Sequence, residues 1–306
     1  MALPHDENLR WIVSEYAHLR AAHGEAIGVP SLVEPTGDYF PDAFSPSAEG
    51  VATFLKRMLS YSPVPDGVAI ELAFLESDAS AGGGCASGAC GTAGGATSAG
   101  AEAEPRDEGY RLRIPVRDVG DAAILGASLA RCVGGMILGE AGEDVTDGER
   151  FARAEVAATL SGFGVLLLTG ACVYTKSCGG LRAHQATALD VPSSAVALAL
   201  FLRLHGAKPG LARRHLETTQ REAFDEALAW VDARPKLVEA LRLHPESLRD
   251  GVFPLEEARG VFARLFGSRS AEPEIVAPAK PRRVRTVEEE QKLAEDRAIV
   301  EAALRG

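Results

Sequence analysis

Two long apolar stretches dominate the pattern of hydrophobic and polar positions along the chain. The first covers residues 118–139 and has one charged residue in its middle, Arg131, while the second contains an uncharged run over residues 156–174. Stretches that are apolar on nearly all sides form helices that are buried on nearly all sides. We therefore predict two core helices, over residues 118–139 and 149–174, around which the other elements are arranged.

The uncharged run over residues 156–174 is also long enough to cross a lipid bilayer as a helix. Much of its bulk is Ala, Gly, Ser and Thr, and aromatic residues do not flank both of its ends as they do in membrane spans. Neighbouring segments have apolar faces that can cover it. We predict a buried core helix, with a membrane span as the alternative.

Shorter segments with apolar residues at helical spacing predict amphipathic helices on both sides of this pair. They cover residues 8–22, 49–60, 192–204, 210–232, 235–243 and 254–266. Ser47 is placed to cap the helix at 49–60. Alternating apolar and polar positions predict strands over 68–75 and 110–116, which could pair antiparallel, and the stretch 177–190 has the composition of a turn. The predicted fold class is therefore α+β, mostly α-helical, with a small two-stranded β element plus an apolar helix pair at the core.

Composition along the chain predicts how the domain is organised. Residues 77–109 are rich in Ala, Gly and Ser and too poor in large apolar groups to fold alone, so we predict a flexible loop there. Residues 1–76, an N-terminal helical and strand part, form one domain with a helical core at 110–267. Residues 268–306 contain prolines and a basic run and are predicted to be a linker and C-terminal tail.

The chain of 306 residues is 46% hydrophobic and 25% charged, which is ordinary for a folded soluble protein. Its net charge of −11 would repel a phosphate backbone, so nucleic acid is not expected as a partner. No apolar signal core follows the N-terminal residues, and the five cysteines are an odd number. We therefore expect a cytoplasmic protein with free thiols and without a disulfide framework.

Cys85 and Cys90 are the candidate thiol or metal-binding residues. They lie in a glycine-rich stretch that resembles a phosphate-binding loop but lacks the Gly-Lys-Ser/Thr ending that supplies the charge and the hydroxyl group. The two thiols could form a labile disulfide or a weak metal clip, or join Cys172 and Cys178 in a four-sulfur zinc site, although zinc ligands are usually separated by two to four residues. The other interpretation is a pair of free thiols in a disordered loop. Zinc is the one cofactor that the cysteine pattern leaves open.

The sequence contains no intact catalytic signature. It lacks a Gly-x-Ser-x-Gly nucleophile elbow, and Cys178 with His184 would need a third group to orient the base. A turn cysteine is the simpler interpretation of Cys178, and we therefore name no catalytic residue.

The order of elements resembles a bacterial family of zincin-like, His-Glu-x-x-His peptidase-like proteins. Members carry a Pro-Thr-x-x-Tyr/Phe-Phe-Pro-Asp segment, a strand, a helix with the His-Glu-x-x-His motif, and a second apolar helix with an acidic residue seven positions before Gly-x-Gly. Here residues 35–42 (Pro-Thr-Gly-Asp-Tyr-Phe-Pro-Asp) match the segment, and residues 110–116 match the strand. Residues 129–135 fall where the metal helix should lie, and Glu155 stands seven residues before Gly162.

This resemblance, which extends over residues 30–205, implies the fold of a zinc peptidase but not its activity. A zincin needs two His one helical turn apart as metal ligands and a Glu between them as the general base. Arg131, Cys132 and Gly135 stand at those places, and neither Arg nor Gly can supply a metal ligand. Of the four functional groups only Glu155 is present, so the resemblance implies a domain with a degenerate metal motif.

Arg131 and Glu155 form the candidate ion pair between the two core helices. Helical spacing places Arg131 on the face that a zinc helix would turn toward the second helix, and it places Glu155 on the facing side. A cation inside an apolar helix pair is costly unless an anion meets it, and Gly135, one turn on, leaves room for the long side chain. The alternative is an Arg131 that extends along its helix to solvent.

The leading hypothesis is a cytoplasmic protein with a non-catalytic zincin-like domain, a pseudoenzyme with a structural or protein-interaction role. The alternatives are a metal- or redox-responsive binding module that uses Cys85 and Cys90, and an enzyme of unrecognised chemistry. Another protein is the expected partner, and the sequence leaves the oligomeric state open.

Overall fold

A computed structural model describes the chain over residues 3–27, 31–76, 100–143, 148–177 and 180–255. Within these residues the fold is α+β and mostly helical, which confirms the predicted fold class. Residues 77–99 of the predicted loop, most of the helix predicted at 254–266 and the tail predicted at 268–306 lie outside the described residues.

The helices and strands follow one another in a mixed order. The helices are α1 (Asp6–His23), α2 (Ala48–Leu59), α3 (Ala122–Glu140), α4 (Arg150–Ala158), α5 (Gly164–Gly170), α6 (Val191–His205), α7 (Pro209–Arg213), α8 (Thr218–Asp232) and α9 (Pro235–Leu243). The strands are β1 (Ala69–Leu75), β2 (Glu102–Arg106), β3 (Gly109–Pro115), β4 (Val173–Ser177) and β5 (Gly180–His184). Short 3₁₀ turns lie at Gly24–Ile27, Val116–Gly120 and Pro245–Leu248.

The core is built around α3, which packs against α4 and α5, as the apolar pattern predicted. α6 packs against α5 and α8, and α1 packs against α4 and α6. The side chains of α3 and α6 are buried along nearly their whole length, because neighbouring elements cover them on several sides. The apolar helix pair is therefore enclosed by helices that turn their own apolar faces inward.

The helix predicted over 149–174 is broken in the structure. It runs as α4, a π-helical turn at Thr159–Phe163 and then α5, and Gly162 within the turn has a φ of +96°. A Cβ atom on Gly162 would overlap the carbonyl oxygen of Ser31. The Gly162 carbonyl also accepts a hydrogen bond from the Val33 N–H at 2.9 Å. The close approach of this N-terminal segment accounts for a glycine at the break.

Two helical stretches, Ala122–Glu140 and Arg150–Gly170, are long and apolar enough to cross a membrane. In their most apolar windows, 78% and 89% of the residues are buried within the protein. Buried core helices of soluble proteins have the same length and composition, so these two stretches are weak evidence for a membrane span.

The sheet before α3 has three strands, in the order β1-β3-β2, whereas the sequence pattern predicted two. β2 and β3 form an antiparallel hairpin, so part of the loop predicted at 77–109 is a strand. β1 pairs with β3 in parallel, and the predicted antiparallel pairing was wrong. The chain reverses direction between β1 and β2 and again between β2 and β3, so β3 runs parallel to β1.

A second β element lies where a turn was predicted at 177–190. β4 and β5 pair antiparallel, with Val173 opposite His184, and α5 ends at Gly170 instead of continuing to Tyr174. The β-branched side chain of Val173 and the aromatic ring of Tyr174 suit a strand once the helix has ended. The predicted helix end was therefore wrong, and residues 180–184 of the predicted turn-like stretch form a strand instead.

The segment predicted as one helix over 210–232 forms two helices, α7 and α8. Arg214 and His215, which lie between them, both contact the buried carboxylate of Glu34, at 2.9 and 2.8 Å. The break thus places two basic side chains at a buried acid that precedes the segment at 35–42.

The remaining helices follow the predicted patterns closely. Ser47 caps α2 by accepting a hydrogen bond from the Gly50 N–H at 3.1 Å, as predicted. The bounds of α9 are those predicted from its apolar spacing. Local sequence alone was sufficient for these elements, because their caps and apolar faces lie within the segment itself.

Candidate functional site

Arg131 and Glu155, the pair suggested by helical spacing, lie together at the centre of the fold. Arg131 is in the middle of α3 and Glu155 is in α4, and Arg131 Nη1 is 3.2 Å from Glu155 Oε1. The two side chains are 6% and 1% exposed, so Arg131 does not extend along its helix to solvent. The structure thus brings these two candidate residues together in the interior.

The guanidinium group of Arg131 is held by more than the carboxylate. Its Nε donates to the Ala101 carbonyl at 2.8 Å, and its Nη1 donates to the Ala186 carbonyl at 3.0 Å. Its Cζ lies 5.3 Å from the ring centre of Phe151, within cation–π range. Backbone carbonyls and an aromatic ring therefore surround the cation, which offsets part of its desolvation cost.

The room for this side chain comes from Gly100 rather than from Gly135, the residue that helical spacing suggested. A Cβ atom on Gly100 would overlap Arg131 Nη2, whereas a Cβ atom on Gly135 would meet the Cβ of Ala103 at 3.4 Å. The residues just before β2, which composition predicted to be part of a flexible loop, thus form one wall of the buried centre.

Both oxygens of the Glu155 carboxylate accept hydrogen bonds from the backbone that leads into α6. The Ala188 N–H donates to Oε1 at 2.7 Å, and the Leu189 N–H donates to Oε2 at 2.8 Å. Burial raises the pKa of Glu155, and the Arg131 guanidinium and these two N–H groups act against that rise. The donors around the carboxyl group bind its ionised form, so the geometry favours a buried ion pair.

The residues at this centre do not fit a zinc ion. Arg131 brings a permanent positive charge into the space between the helices, and the oxygens of Glu155 already accept hydrogen bonds from Arg131 and from two backbone N–H groups. Burial raises the pKa of the Cys132 thiol to about 12, so this thiol is neutral at neutral pH. Within the described residues, no group of three or more His, Cys, Asp or Glu side chains is arranged to hold a metal ion.

A small recess lies beside Arg131, between α3, α4 and β2. Its lining consists of Glu102, Ala103, Arg131, Gly135, Arg150, Phe151 and Ala154. It encloses about 20 Å³, which is room for about one water molecule, whereas ligand pockets usually enclose about 300 Å³ or more. This recess therefore has no space for a substrate.

Of the four candidate cysteines, the structure describes only Cys172. Cys85 and Cys90 fall within residues 77–99, and Cys178 is also outside the described residues. Cys172, partly buried just after α5, is a free thiol. The thiol or metal pair at Cys85 and Cys90 therefore stays a prediction.

A polar cluster that the sequence did not indicate lies between α1, the residues that follow α3, and the start of α4. Glu143 Oε1 lies 3.0 Å from His18 Nε2 and 2.6 Å from His23 Nε2. Glu143 Oε2 accepts a hydrogen bond from Arg153 Nη2 at 2.8 Å, and Arg153 also donates to Glu15. Glu143 is 125 positions from His18 along the chain, so no local pattern could have indicated this contact.

The cluster around Glu143 predicts a loss of stability in acid. Burial by itself raises the pKa of Glu143, but hydrogen bonds from His23, His18 and Arg153 outweigh it and lower the pKa to about 2. A carboxyl group whose pKa is lower in the folded chain stabilises the fold above its unfolded pKa, near 4.5. That contribution is lost as the pH falls from there toward 2.

We expect Glu143→Gln to lower the free energy of unfolding by about 1–2 kcal/mol near pH 6, an amount reduced by the partial exposure of the group. The difference from the unsubstituted chain should shrink to nearly zero near pH 2, as urea denaturation at several pH values would show. Glu222→Gln, at an exposed position of α8, is the control and should have little effect at any pH. A pH-independent difference for Glu143→Gln would contradict the prediction.

Comparison with known proteins finds no relative of this chain. No protein-family model, no curated protein and no solved structure matches it.

Proposed function

We propose that the chain is a non-catalytic zincin-like domain of a cytoplasmic protein, a pseudoenzyme whose role is structural or lies in binding another protein. The observation that carries the proposal is the Arg131–Glu155 ion pair. It occupies the space between two core helices to which the resemblance assigns the metal. A guanidinium group there supplies the positive charge that a metal ion would otherwise bring to the carboxylate.

The order of elements around the pair supports the same proposal. The segment at 35–42 comes first and packs through Phe40 onto Phe54 of α2, with the ring centres 4.6 Å apart. β3 then leads into α3, which carries Arg131, and α4 carries Glu155 ahead of the π-helical turn. This is the order that the resemblance implies, with an arginine where a metal ligand would be needed.

The contacts of the pair favour a structural role over a catalytic one. Arg131 and Glu155 connect α3 and α4 with Ala101, just before β2, and with residues 186–189, just before α6. A catalytic group must reach a substrate, whereas both of these side chains are buried and hydrogen bonded within the protein. The pair therefore joins four parts of the fold and leaves neither group available for proton transfer.

Zinc binding and peptide hydrolysis test the proposal directly. Both are measured on the full chain and on a Cys85→Ser/Cys90→Ser variant, because the loop thiols are separate candidate ligands. We expect no zinc binding that depends on Glu155, and no cleavage of an unstructured protein such as casein above a blank without protein.

The Glu155→Gln variant separates a structural carboxylate from a metal ligand or a general base. If the pair is structural, Glu155→Gln lowers the melting temperature and leaves zinc uptake and casein cleavage unchanged. Zinc binding or cleavage that is lost in Glu155→Gln but retained in Glu222→Gln would contradict the proposal.

A further inference from the structure

Among the residues that the structure describes, β1 is an edge strand that carries few of the features that protect such strands from pairing with another chain. Within the described residues its one strand partner is β3. It is seven residues long, Ala-Ile-Glu-Leu-Ala-Phe-Leu, and contains no Pro, no Lys and no positive-φ residue. Natural sheets usually protect a strand of this kind with such features or keep it very short. In the part of the chain that the structure describes, this edge is therefore open to pairing with a further strand.

The two faces of β1 differ in character. Ile70, Leu72 and Phe74 pack against the core but remain partly exposed, as expected for residues at the edge of a sheet. Glu71 and Ala73 alternate with them and belong to the other face. A strand added at this edge would extend the cover over the three apolar side chains.

On the polar face, acidic and basic residues lie opposite each other on neighbouring strands, except that β1 has no acidic residue opposite Arg113. Glu71 lies opposite Arg111 of β3 and forms an ion pair with it at 2.8 Å. Ala73 lies opposite Arg113. Arg113 in turn lies opposite Glu102 of β2.

In this row of charges, Arg113 has no carboxylate partner among the described residues. Glu102 is held instead by Arg150, at 2.9 Å, and no carboxylate of the described residues pairs with Arg113. Ala73, which lies between Arg113 and the edge, has only a methyl side chain, and Arg113 is partly exposed. An anion that approached from beyond β1 could therefore reach it.

We propose that two copies of this chain pair β1 with β1 in antiparallel orientation, about a two-fold axis at Leu72. In this register Leu72 lies opposite the partner's Leu72, and Ile70 lies opposite the partner's Phe74. Glu71 lies opposite the partner's Ala73, so no like charges face each other. The two three-stranded sheets become one six-stranded sheet with an isologous interface.

The same register brings Glu71 toward the partner's Arg113. Glu71 Oε2 is already paired with Arg111 of its own chain, so its other carboxylate oxygen would accept a hydrogen bond from the partner's Arg113. Glu71 and the partner's Arg113 are two strand spacings apart, roughly 10 Å between their Cα atoms, which long side chains can span. The partner's Ala73 lies between them and is small enough for the two to meet above it. The two-fold axis repeats this ion pair, so the charge pattern is completed twice.

Sedimentation velocity and light scattering over a range of protein concentrations test the proposal on the full chain. We expect a dimer at micromolar to tens-of-micromolar concentration that Ala73→Glu weakens. The new carboxylate would oppose the partner's Glu71 and would also occupy Arg113, at both symmetric positions. Two such pairs should raise the dimer dissociation constant by about tenfold, and high salt should reduce the effect.

Two further variants keep the test independent of any folding defect in Ala73→Glu. Arg113→Gln removes the cation and should raise the dissociation constant by a few fold. Arg106→Gln makes the same one-unit change in net charge at β2, the opposite edge of the sheet, and should leave the constant within about twofold. Circular dichroism verifies that each variant is folded.

Two outcomes would overturn the proposal. A chain that stays monomeric at every concentration has no such interface, and the edge would then be open to an extended segment of a different protein. A dimer whose dissociation constant is the same in Ala73→Glu and Arg113→Gln as in Arg106→Gln must be formed by another surface.

Discussion

Replacing Arg131 by Met is expected to lower the free energy of unfolding by about 3 kcal/mol or more. The change leaves the Glu155 carboxylate buried with no counter-charge, and it removes the donors to the Ala101 and Ala186 carbonyls. Replacing Glu155 by Gln should cost a similar amount. The amide side chain of the Glu155→Gln variant would have one accepting oxygen and one donating NH₂ group. One of the two backbone N–H groups that now bind the carboxylate would therefore lose its acceptor.

The double variant is the decisive measurement, because it separates the coupling of the pair from the cost of each single change. If the charges stabilise each other, Arg131→Met/Glu155→Gln should cost much less than the sum of the single changes. The exposed pair Arg213 and Asp225, 2.6 Å apart, is the matched control. Arg213→Met and Asp225→Asn should couple by less than about 1 kcal/mol.

Urea denaturation of the four chains in each cycle gives the coupling energies. Small and additive effects of Arg131→Met and Glu155→Gln would show that the two groups do not depend on each other. Such a result would remove the main support for a pseudoenzyme in which an ion pair replaces the metal.

The second large effect is expected for Gly134→Ala, in the tightest part of the contact between α3 and α4. A Cβ atom on Gly134 would overlap the backbone carbonyl of Ala154 and lie 3.1 Å from the Ala158 methyl group. Backbone atoms cannot move aside as a flexible side chain can, so the helices must separate. We expect a loss of about 3 kcal/mol in the free energy of unfolding, measured by urea denaturation.

Gly135→Ala is the matched control for this substitution, one position further along the same helix. Its new methyl group would have its nearest neighbour, the Ala103 Cβ, at 3.4 Å, and Ala is the better helix former by up to about 1 kcal/mol. We therefore expect a change within about 1 kcal/mol of zero. Equal losses for Gly134→Ala and Gly135→Ala would mean that the backbone contact between α3 and α4 is looser than the structure shows.

The sequence by itself determined the elements whose signals are local. The apolar runs predicted the helical core, the cap at Ser47 predicted the start of α2, and apolar spacing predicted the bounds of α9. The same spacing placed Arg131 and Glu155 on facing sides of two helices, and the structure has them in contact. These inferences succeed because helical periodicity and capping act over a few residues.

Only the tertiary structure decided the features that depend on residues far apart in the chain. Gly100 lies against Arg131, and Ser31 lies against Gly162 of the π-helical turn. Neither contact can be predicted from the residues next to it in the sequence. The parallel pairing of β1 with β3 depends on β2, a strand hidden in a stretch that looked like a loop. The cluster at Glu143 joins side chains that lie 125 positions apart in the chain. Each of these contacts joins segments that are distant in the chain. The pattern within one segment does not show which other segment it will contact.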